Sequence, residues 1–254
     1  MANAEFDPRS VPALFAVALQ CDDDHAWDAV AALHWRGSKE VLDKACVLAK
    51  SAEAATRARA ADILGQIGVP VRSFPQGSFA AVLPLLDDTA DEVVFSAIFA
   101  LQHIDRHRAA AYVTRFATHS DDSIRYAAAC ALGAVDSIEA NETLLFLMND
   151  HDAEVRNWAT FGLGQQSDAD SGAIREALAT RLSDADADVR YEAIIGLGRR
   201  RDRRALRFLK TMLHDDPDDV FARQSAAMLL GLELAGEKPT SALLGALQRL
   251  QRWG

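Results

Sequence analysis

The chain has 254 residues, half of them hydrophobic, and a formal net charge of −10 at pH 7. This acidity disfavours a general nucleic-acid binder, whose affinity comes largely from basic side chains meeting phosphates. The sequence contains no apolar run of about 18 residues and begins without a basic segment followed by an apolar one, so neither a membrane span nor a secretory signal is expected. Its three cysteines, Cys21, Cys46 and Cys130, lack a Cys-x-x-Cys spacing and favour the reducing cytoplasm.

Amphipathic segments follow one another in pairs along the chain, and each pair is predicted to form a helical hairpin. The first two hairpins are predicted at 10–20 with 24–35 and at 38–50 with 53–67, followed by a proline-containing loop at 68–77. Further segments are predicted at 95–104, 139–148, 173–182, 205–213 and 240–253, the last being a helix that closes the chain. One elongated domain over residues 1–254 is expected, because the pairs share a single sequence pattern.

That pattern is clearest in the second helix of each pair. Residues 152–164 read Asp-Ala-Glu-Val-Arg-Asn-Trp-Ala-Thr-Phe-Gly-Leu-Gly, and residues 186–198 read Asp-Ala-Asp-Val-Arg-Tyr-Glu-Ala-Ile-Ile-Gly-Leu-Gly. The position of its arginine, called the frame arginine below, recurs at Ala26, Arg57, Val94, Arg125, Arg156, Arg190 and Arg223. Seven copies at a step of about 30 to 40 residues indicate a repeat protein.

One copy of the pattern has a direct physical interpretation. Asp152 is a suitable N-cap, since its carboxylate can accept from unpaired N–H groups of the first turn. Val155, Ala159 and Leu163 are spaced to share one helix face. Two second helices contain glycines near their ends, at Gly162, Gly164, Gly196 and Gly198. Because glycine is a poor residue for a helix interior, these positions are expected to mark close contacts between helices.

The pattern resembles HEAT repeats, and among them the short repeats of the phycobilisome-lyase-like family, over nearly the whole chain. The expected fold is therefore all-α, an α-solenoid of about seven stacked HEAT-like helical hairpins with a C-terminal capping helix. The family includes phycobilin lyase subunits and deoxyhypusine hydroxylases. Because such repeats serve unrelated roles, the resemblance predicts the fold and leaves the function open.

The frame arginines are interpreted as structural. In HEAT-like repeats this arginine and the acidic residue before it commonly form a hydrogen-bonded ladder between neighbours. Aspartates cluster at the turn within each hairpin, for example Asp87 with Asp88 and Asp184 with Asp186, and stacking would align these turns in one acidic edge. Helix capping with solubility explains the aspartates, and a docking strip for a basic partner is the alternative.

The positions one, two and five residues after the frame arginine lie away from the buried face of the second helix. In this architecture the second helices line the concave surface, and aromatic residues there are suited to anchor a partner. The candidate partner-binding residues are Trp27, Phe95, Tyr126, Trp158, Phe161, Tyr191 and Glu192. Packing of some of these side chains against adjacent helices is an equally open interpretation.

Enzymatic chemistry has little support in the sequence. The resemblance implies that the hydroxylase branch binds a di-iron centre through repeated His-Glu pairs at the first two of these positions. Here the pairs are Trp27-Asp28, Tyr126-Ala127, Asn157-Trp158 and Tyr191-Glu192, and no His-Glu dipeptide occurs in the chain. No catalytic residue, cofactor or metal site is therefore predicted.

One segment departs from the general acidity. It is predicted at the turn before the last hairpin and contains Arg199, Arg200, Arg201, Arg203, Arg204 and Arg207. Such a basic patch can hold phosphate, nucleic acid or an acidic protein segment. A solvated turn that balances the acidic edge is the other interpretation.

These observations favour a non-catalytic scaffold or adaptor that binds a protein partner on its concave surface. Two alternatives remain at this point. The resemblance permits a tetrapyrrole (phycobilin) lyase subunit or chaperone-like protein, although no residue specifically calls for a tetrapyrrole. The charge permits an inhibitor or immunity-type protein that caps a basic toxin or enzyme.

Overall fold

The computed structural model describes residues 6–20, 24–232 and 239–252, and within them the protein is helical without a β-strand. The α-helices are α1 (Val11–Ala18), α2 (Asp24–Arg36), α3 (Lys39–Leu48), α4 (Ala54–Gly65), α5 (Pro75–Val82), α6 (Asp91–Val113), α7 (Asp122–Leu132), α8 (Ile138–Leu147), α9 (Ala153–Phe161), α10 (Gly172–Arg181), α11 (Ala187–Arg199), α12 (Leu206–Asp215), α13 (Val220–Leu229) and α14 (Thr240–Arg252). Short 3-10 helices lie at Leu83–Asp87, Thr114–Thr118 and Arg203–Ala205, and Gly162–Gln166 forms a π-helical turn.

The chain falls into two compact units, Met1–Ala131 and Leu132–Gly254. In the first unit α1 pairs with α2, α3 with α4, and α5 with the first part of α6. Asp105 interrupts α6 with non-helical angles (φ −159°, ψ 89°), and the second part of α6 begins the hairpin that α7 completes. The second unit contains the hairpins α8–α9, α10–α11 and α12–α13, with α14 against the last. The predicted hairpins are confirmed, whereas a single domain stays a prediction.

Serine or aspartate side chains cap the N-termini of seven of the described α-helices. Ser137 Oγ accepts from the N–H of Ala140 at 3.1 Å at the start of α8, and Asp152 Oδ1 accepts from the N–H of Val155 at 3.0 Å at the start of α9. The same arrangement is found at Ser10, Ser38, Ser171, Asp186 and Asp219. Each cap is worth about 1 kcal/mol, so the hairpin boundaries are determined locally. The predicted N-cap role of Asp152 is confirmed.

The buried side of the second helices is formed by small and branched apolar side chains. Val155, Ala159 and Leu163 are fully buried, as their spacing predicts. Close contact between backbones is found where the glycines lie. A Cβ atom built on Gly196 would lie 2.7 Å from the Cα of Gly164, well inside the usual separation of about 3.5–4 Å between carbon atoms. The predicted close helix contact at these glycines is confirmed.

Four frame arginines tie the turn of their hairpin to its second helix. Nη1 of Arg57 donates to the carbonyl oxygens of Ser51 and Ala52, both at 2.9 Å. The equivalent pair of bonds is made by Arg125, Arg156 and Arg190. Because these turn carbonyls are outside any helix, the guanidinium satisfies acceptors that would otherwise rely on water.

The remaining nitrogens of two frame arginines reach the next hairpin. Nε and Nη2 of Arg57 donate to the carboxylate of Asp88 at 2.6 and 2.7 Å, and those of Arg156 donate to Asp184 at 3.0 and 2.9 Å. Asp184 also accepts from the N–H of Asp186 within its turn. A ladder between neighbouring hairpins is therefore present at these two steps, but its acceptors are the turn aspartates two residues before the N-cap, whereas the acidic residues of the frame, Asp152 and Asp186, cap their helices. Turn aspartates thus serve as caps and ladder partners, which supports the capping interpretation of the acidic edge.

The glycine contact predicts a specific sensitivity to a single methyl group. We expect Gly196→Ala to lower the free energy of unfolding by about 1–3 kcal/mol, because overpacking outweighs the better helix propensity of alanine. Gly172→Ala is the matched control, since a Cβ at Gly172 meets no atom within 4 Å. Urea unfolding monitored by circular dichroism measures both, and equal stability of the two variants would contradict a tight contact at Gly196.

The ladder predicts a stability contribution that depends on pH. Burial alone would raise the pKa of Asp184, but the hydrogen bonds from Arg156 and from the N–H of Asp186 more than offset it, and the pKa lies below its ordinary value. The stability from this ionised carboxylate is therefore present above its unfolded pKa and lost as pH falls through the folded one. We expect Asp184→Asn to cost about 1–3 kcal/mol at pH 7 and clearly less near pH 3.

Chemical denaturation at both pH values measures this difference. Asp218→Asn serves as the control, because Asp218 is an exposed turn aspartate outside the ladder. A loss for Asp184→Asn that does not change between the two pH values would show that the ion pair is not its source.

Candidate functional site

In the first unit, three rings from the predicted rows form one cluster. Phe95 and Phe99 lie one turn apart on α6 with ring centroids 4.9 Å apart, and Phe99 lies 6.2 Å from Tyr126 on α7. All three side chains are half-buried. The rings thus contact one another across two second helices and still present part of their surface to solvent.

Trp27 on α2 is the most exposed of the predicted aromatic residues, at 46%. The guanidinium of Arg59, on the next second helix α4, lies 4.2 Å from the centroid of its ring system. Arg59 itself is largely buried and forms an ion pair with Asp62 at 3.4 Å. A cation–π contact of this kind holds the indole in place while its other face stays accessible.

In the second unit, Trp158 and Phe161 form the corresponding aromatic pair on α9. Their ring centroids are 5.6 Å apart and their planes meet at 85°, an edge-to-face arrangement. Both side chains are half-buried. The mutual contact restricts the rotamers of both rings.

Tyr191 and Glu192 on α11 are more tightly engaged within the protein. The hydroxyl of Tyr191 donates to Oδ1 of Asp219 at 3.1 Å, and burial together with that carboxylate raises the pKa of the phenol above its usual value. The side-chain amide of Gln165 donates to Oε2 of Glu192, and burial raises the pKa of this carboxyl. The hydroxyl of Tyr191 and the carboxylate of Glu192 therefore already have hydrogen-bond partners on neighbouring segments, while both side chains remain partly exposed.

The structure removes Arg200 from the predicted basic patch. Its guanidinium is buried and donates to carbonyl oxygens at the end of α9 and beyond, on Leu163, Gly164, Ser167 and Ala169, and to Gly196 in its own helix. Burial lowers the pKa of this arginine. Arg200 thus satisfies the carbonyl oxygens left open by the π-helical turn. The glycines in that turn were the sequence feature that could have indicated it, because glycine has no side chain to cover the backbone.

The other arginines of the segment lie at the surface. Arg199 is half-buried, and Arg201, Arg203, Arg204 and Arg207 are exposed. Arg204 is paired with Asp202 and Glu176, both at 2.7 Å. Arg201 has a φ of +55° at the end of α11, a conformation that turns the chain toward the following 3-10 helix.

Three further features concern the described residues only. No group of three or more His, Cys, Asp or Glu side chains is positioned there to hold a metal ion. Among the same residues, no helix has the length and apolar character that crossing a membrane requires. Cys46 is half-buried and Cys130 is buried, neither is part of a disulfide, and Cys21 lies outside the described residues. The predicted compartment, and the predicted lack of catalytic residues and cofactors, stay predictions.

A family model described as HEAT repeats matches residues 79–164 and 140–231, which together span more than half of the chain. The chain belongs to the HEAT-repeat family. The predicted resemblance is confirmed at this level, and membership of the narrower phycobilisome-lyase-like family stays a prediction. No curated protein sequence matches the chain.

Solved structures show the same fold for this HEAT-repeat protein. YibA of Escherichia coli is similar over 98% of this chain and 94% of its own, with a TM-score of 0.75 and 23% identity. An archaeal HEAT-like repeats protein from Thermococcus onnurineus NA1 matches over 96% and 99%, with a TM-score of 0.50 and 19% identity. A designed armadillo repeat protein in complex with the peptide (KR)4 matches over 74% and 98%, with a TM-score of 0.51 and 16% identity. The predicted fold class, an all-α solenoid of HEAT-like hairpins, is confirmed.

The raised pKa of Glu192 predicts a stabilising substitution. The pKa of this carboxyl is higher in the folded protein than in the unfolded chain. Ionisation of Glu192 at neutral pH therefore lowers the free energy of unfolding, and this destabilisation disappears below the unfolded pKa of about 4.3. We expect Glu192→Gln, which keeps an acceptor for Gln165, to raise the melting temperature at pH 7. The gain should vanish near pH 4. Thermal melts at the two pH values measure it, and a lower melting temperature at pH 7 would contradict the burial argument.

Proposed function

We propose that this HEAT-repeat protein is a non-catalytic scaffold that binds a protein partner on the surface of its second helices. The observation that carries the proposal is the pair Trp158 and Phe161 in the second unit. Two large rings lie half-exposed and edge to face on α9, and Tyr191 and Glu192 are partly exposed on α11, the helix packed next to it. The cluster of Phe95, Phe99 and Tyr126 gives the first unit a surface of the same character.

The chemistry of these side chains suits an interface. Trp and Tyr are enriched among residues whose truncation costs a complex 2 kcal/mol or more, because they bury a large area with few rotatable bonds. Rings that already contact one another lose little further rotamer freedom on binding. The partly apolar, pre-ordered surface of α9 and α11 therefore favours a partner that inserts apolar side chains beside Trp158.

Charge supports a partner with a neutral or basic contact surface. The chain carries a net charge of −10. Opposite charge on the partner would speed the encounter and help to select the correct partner. The designed armadillo protein that shares this fold was solved with the peptide (KR)4, so a protein of this fold can hold a basic peptide.

The two alternative functions differ in their relation to this surface. Inhibition of a basic toxin or enzyme would be one particular form of the proposed protein binding. A tetrapyrrole lyase or chaperone role would instead require a ligand site, and the described residues supply no contact that favours one. Protein binding is therefore the function that the described surface supports best.

The test removes the aromatic pair and leaves the hairpin intact. We expect Trp158→Ala with Phe161→Ala to weaken binding of a partner captured from native lysate at least about 10-fold, with thermal melting used to check folding. Phe146→Ala is the matched control, because Phe146 is 56% exposed on α8, the first helix of the same hairpin. The affinity of the purified partner for each variant is measured by isothermal titration calorimetry.

Unchanged affinity in the double variant would place the interface elsewhere and contradict the proposal. Recovery of a coloured small molecule with the wild-type protein, lost in the double variant, would favour the tetrapyrrole alternative. Equal losses in the double variant and in Phe146→Ala would indicate a general effect on stability and not a specific surface.

A further inference from the structure

A groove of about 450 Å³ lies in the second unit, away from the surface of the second helices. It is formed by the end of α10, the 3-10 helix at Arg203–Ala205, the start of α12 and the end of α14. Its apolar part includes Leu182, Leu206 and Phe208, and three arginines, Arg203, Arg204 and Arg207, line the same groove. The volume falls within the range of about 300–1,000 Å³ found for sites that hold small ligands.

The three arginines differ in how much of their charge is already neutralised. Arg204 is held between the carboxylates of Asp202 and Glu176. Arg203 donates through Nη2 to the carbonyl oxygen of Leu250 at 2.6 Å, and the guanidinium of Arg207 lies 4.4 Å from the ring centroid of Phe208. Within the part of the chain that the structure describes, neither Arg203 nor Arg207 has a carboxylate partner. Among the described residues, two positive charges without a carboxylate partner therefore border the groove.

These two charges are also held in position. A neutral carbonyl oxygen orients the Arg203 side chain, and stacking on an aromatic ring orients Arg207, so neither guanidinium loses much freedom when it binds an anion. A turn that served only to balance acidic residues elsewhere would need neither this ordering nor an apolar groove between the arginines. The combination of an apolar floor with ordered, uncompensated arginines is what points to a ligand.

We propose that this groove docks an acidic peptide segment of a partner protein, with one apolar side chain of the segment seated against Leu182, Leu206 and Phe208. Carboxylates on either side of that side chain pair with Arg203 and Arg207, whose planar guanidinium groups match carboxylates in two-point geometry. The positive charge that attracts the acidic segment is confined to this groove, since the chain as a whole is acidic. An acidic segment would therefore be repelled by most of the surface and attracted here.

Protein is favoured over nucleic acid as the occupant by two observations. A net charge of −10 opposes a polyanion that extends beyond the groove, whereas a short acidic segment ends within it. A phosphate backbone has no apolar group that could pack against the apolar floor, whereas a Leu or Phe side chain can. The groove lies on helices that do not carry Trp158 or Tyr191, so this inference stands independently of the proposed function.

The experiment uses the full-length protein and a fluorescein-labelled peptide, Glu-Asp-Glu-Phe-Glu-Asp-Glu, with binding followed by fluorescence anisotropy at low salt. We expect saturable binding that weakens at least about 5-fold when Phe in the peptide is replaced by Ala, and at least about 10-fold in the variant Arg203→Glu with Arg207→Glu. Arg108→Glu is the matched control, because Arg108 is also exposed and lies 3.7 Å from the ring centroid of Phe79. Its affinity for the peptide should be unchanged.

Several outcomes would overturn the inference. Equal binding of the Phe and Ala peptides would show that the apolar floor is not used, and unchanged binding by the double arginine variant would show that the groove is not the site. Tighter binding of an oligothymidine that displaces the peptide would reassign the patch to nucleic acid. Wild-type affinity for the peptide in the Trp158→Ala, Phe161→Ala variant would support a site distinct from the second-helix surface, and loss of binding there would contradict it.

Discussion

The hydrogen bonds of the frame arginine are the constraint on which the described hairpins depend. In one direction Arg156 holds the carbonyls of its own turn, and in the other it holds the carboxylate of Asp184 in the next turn. The same two-sided arrangement links Arg57 with Asp88. Because a rigid guanidinium fixes both distances at once, it sets the spacing between the two hairpin turns that it joins.

A second constraint operates where the helices come closest. Gly164 and Gly196 allow the π-helical turn after α9 to meet α11 at backbone distance, which leaves a group of carbonyl oxygens without side chains to shield them. Arg200 satisfies these carbonyls from the interior, although its charge must be buried to do so. Glycine contact and buried arginine thus form one structural device. It explains why an arginine in the middle of a basic segment contributes nothing to the surface.

The second unit carries two surfaces of different chemistry on different helices. The second helices present aromatic rings held by ring contacts and by the Tyr191 to Asp219 hydrogen bond, while the groove beside α12 combines arginines with apolar side chains. Helices of a repeat protein can carry such separate surfaces because the buried faces and the turn contacts are sufficient for folding. The outward positions are then free to vary, which is why the repeat pattern predicts shape and not partner.

The sequence by itself determined the helices, their pairing into hairpins, the cap at Asp152, and the structural role of the frame arginines. These features are local, or recur at each repeat, so spacing alone reveals them. Only the tertiary structure decided which polar groups form hydrogen bonds inside the protein, as Arg200 and Glu192 do, and which stay exposed for a ligand, as Arg207 does. The groove required it as well, because its walls come from segments of the chain that are distant in sequence and meet only when the hairpins pack.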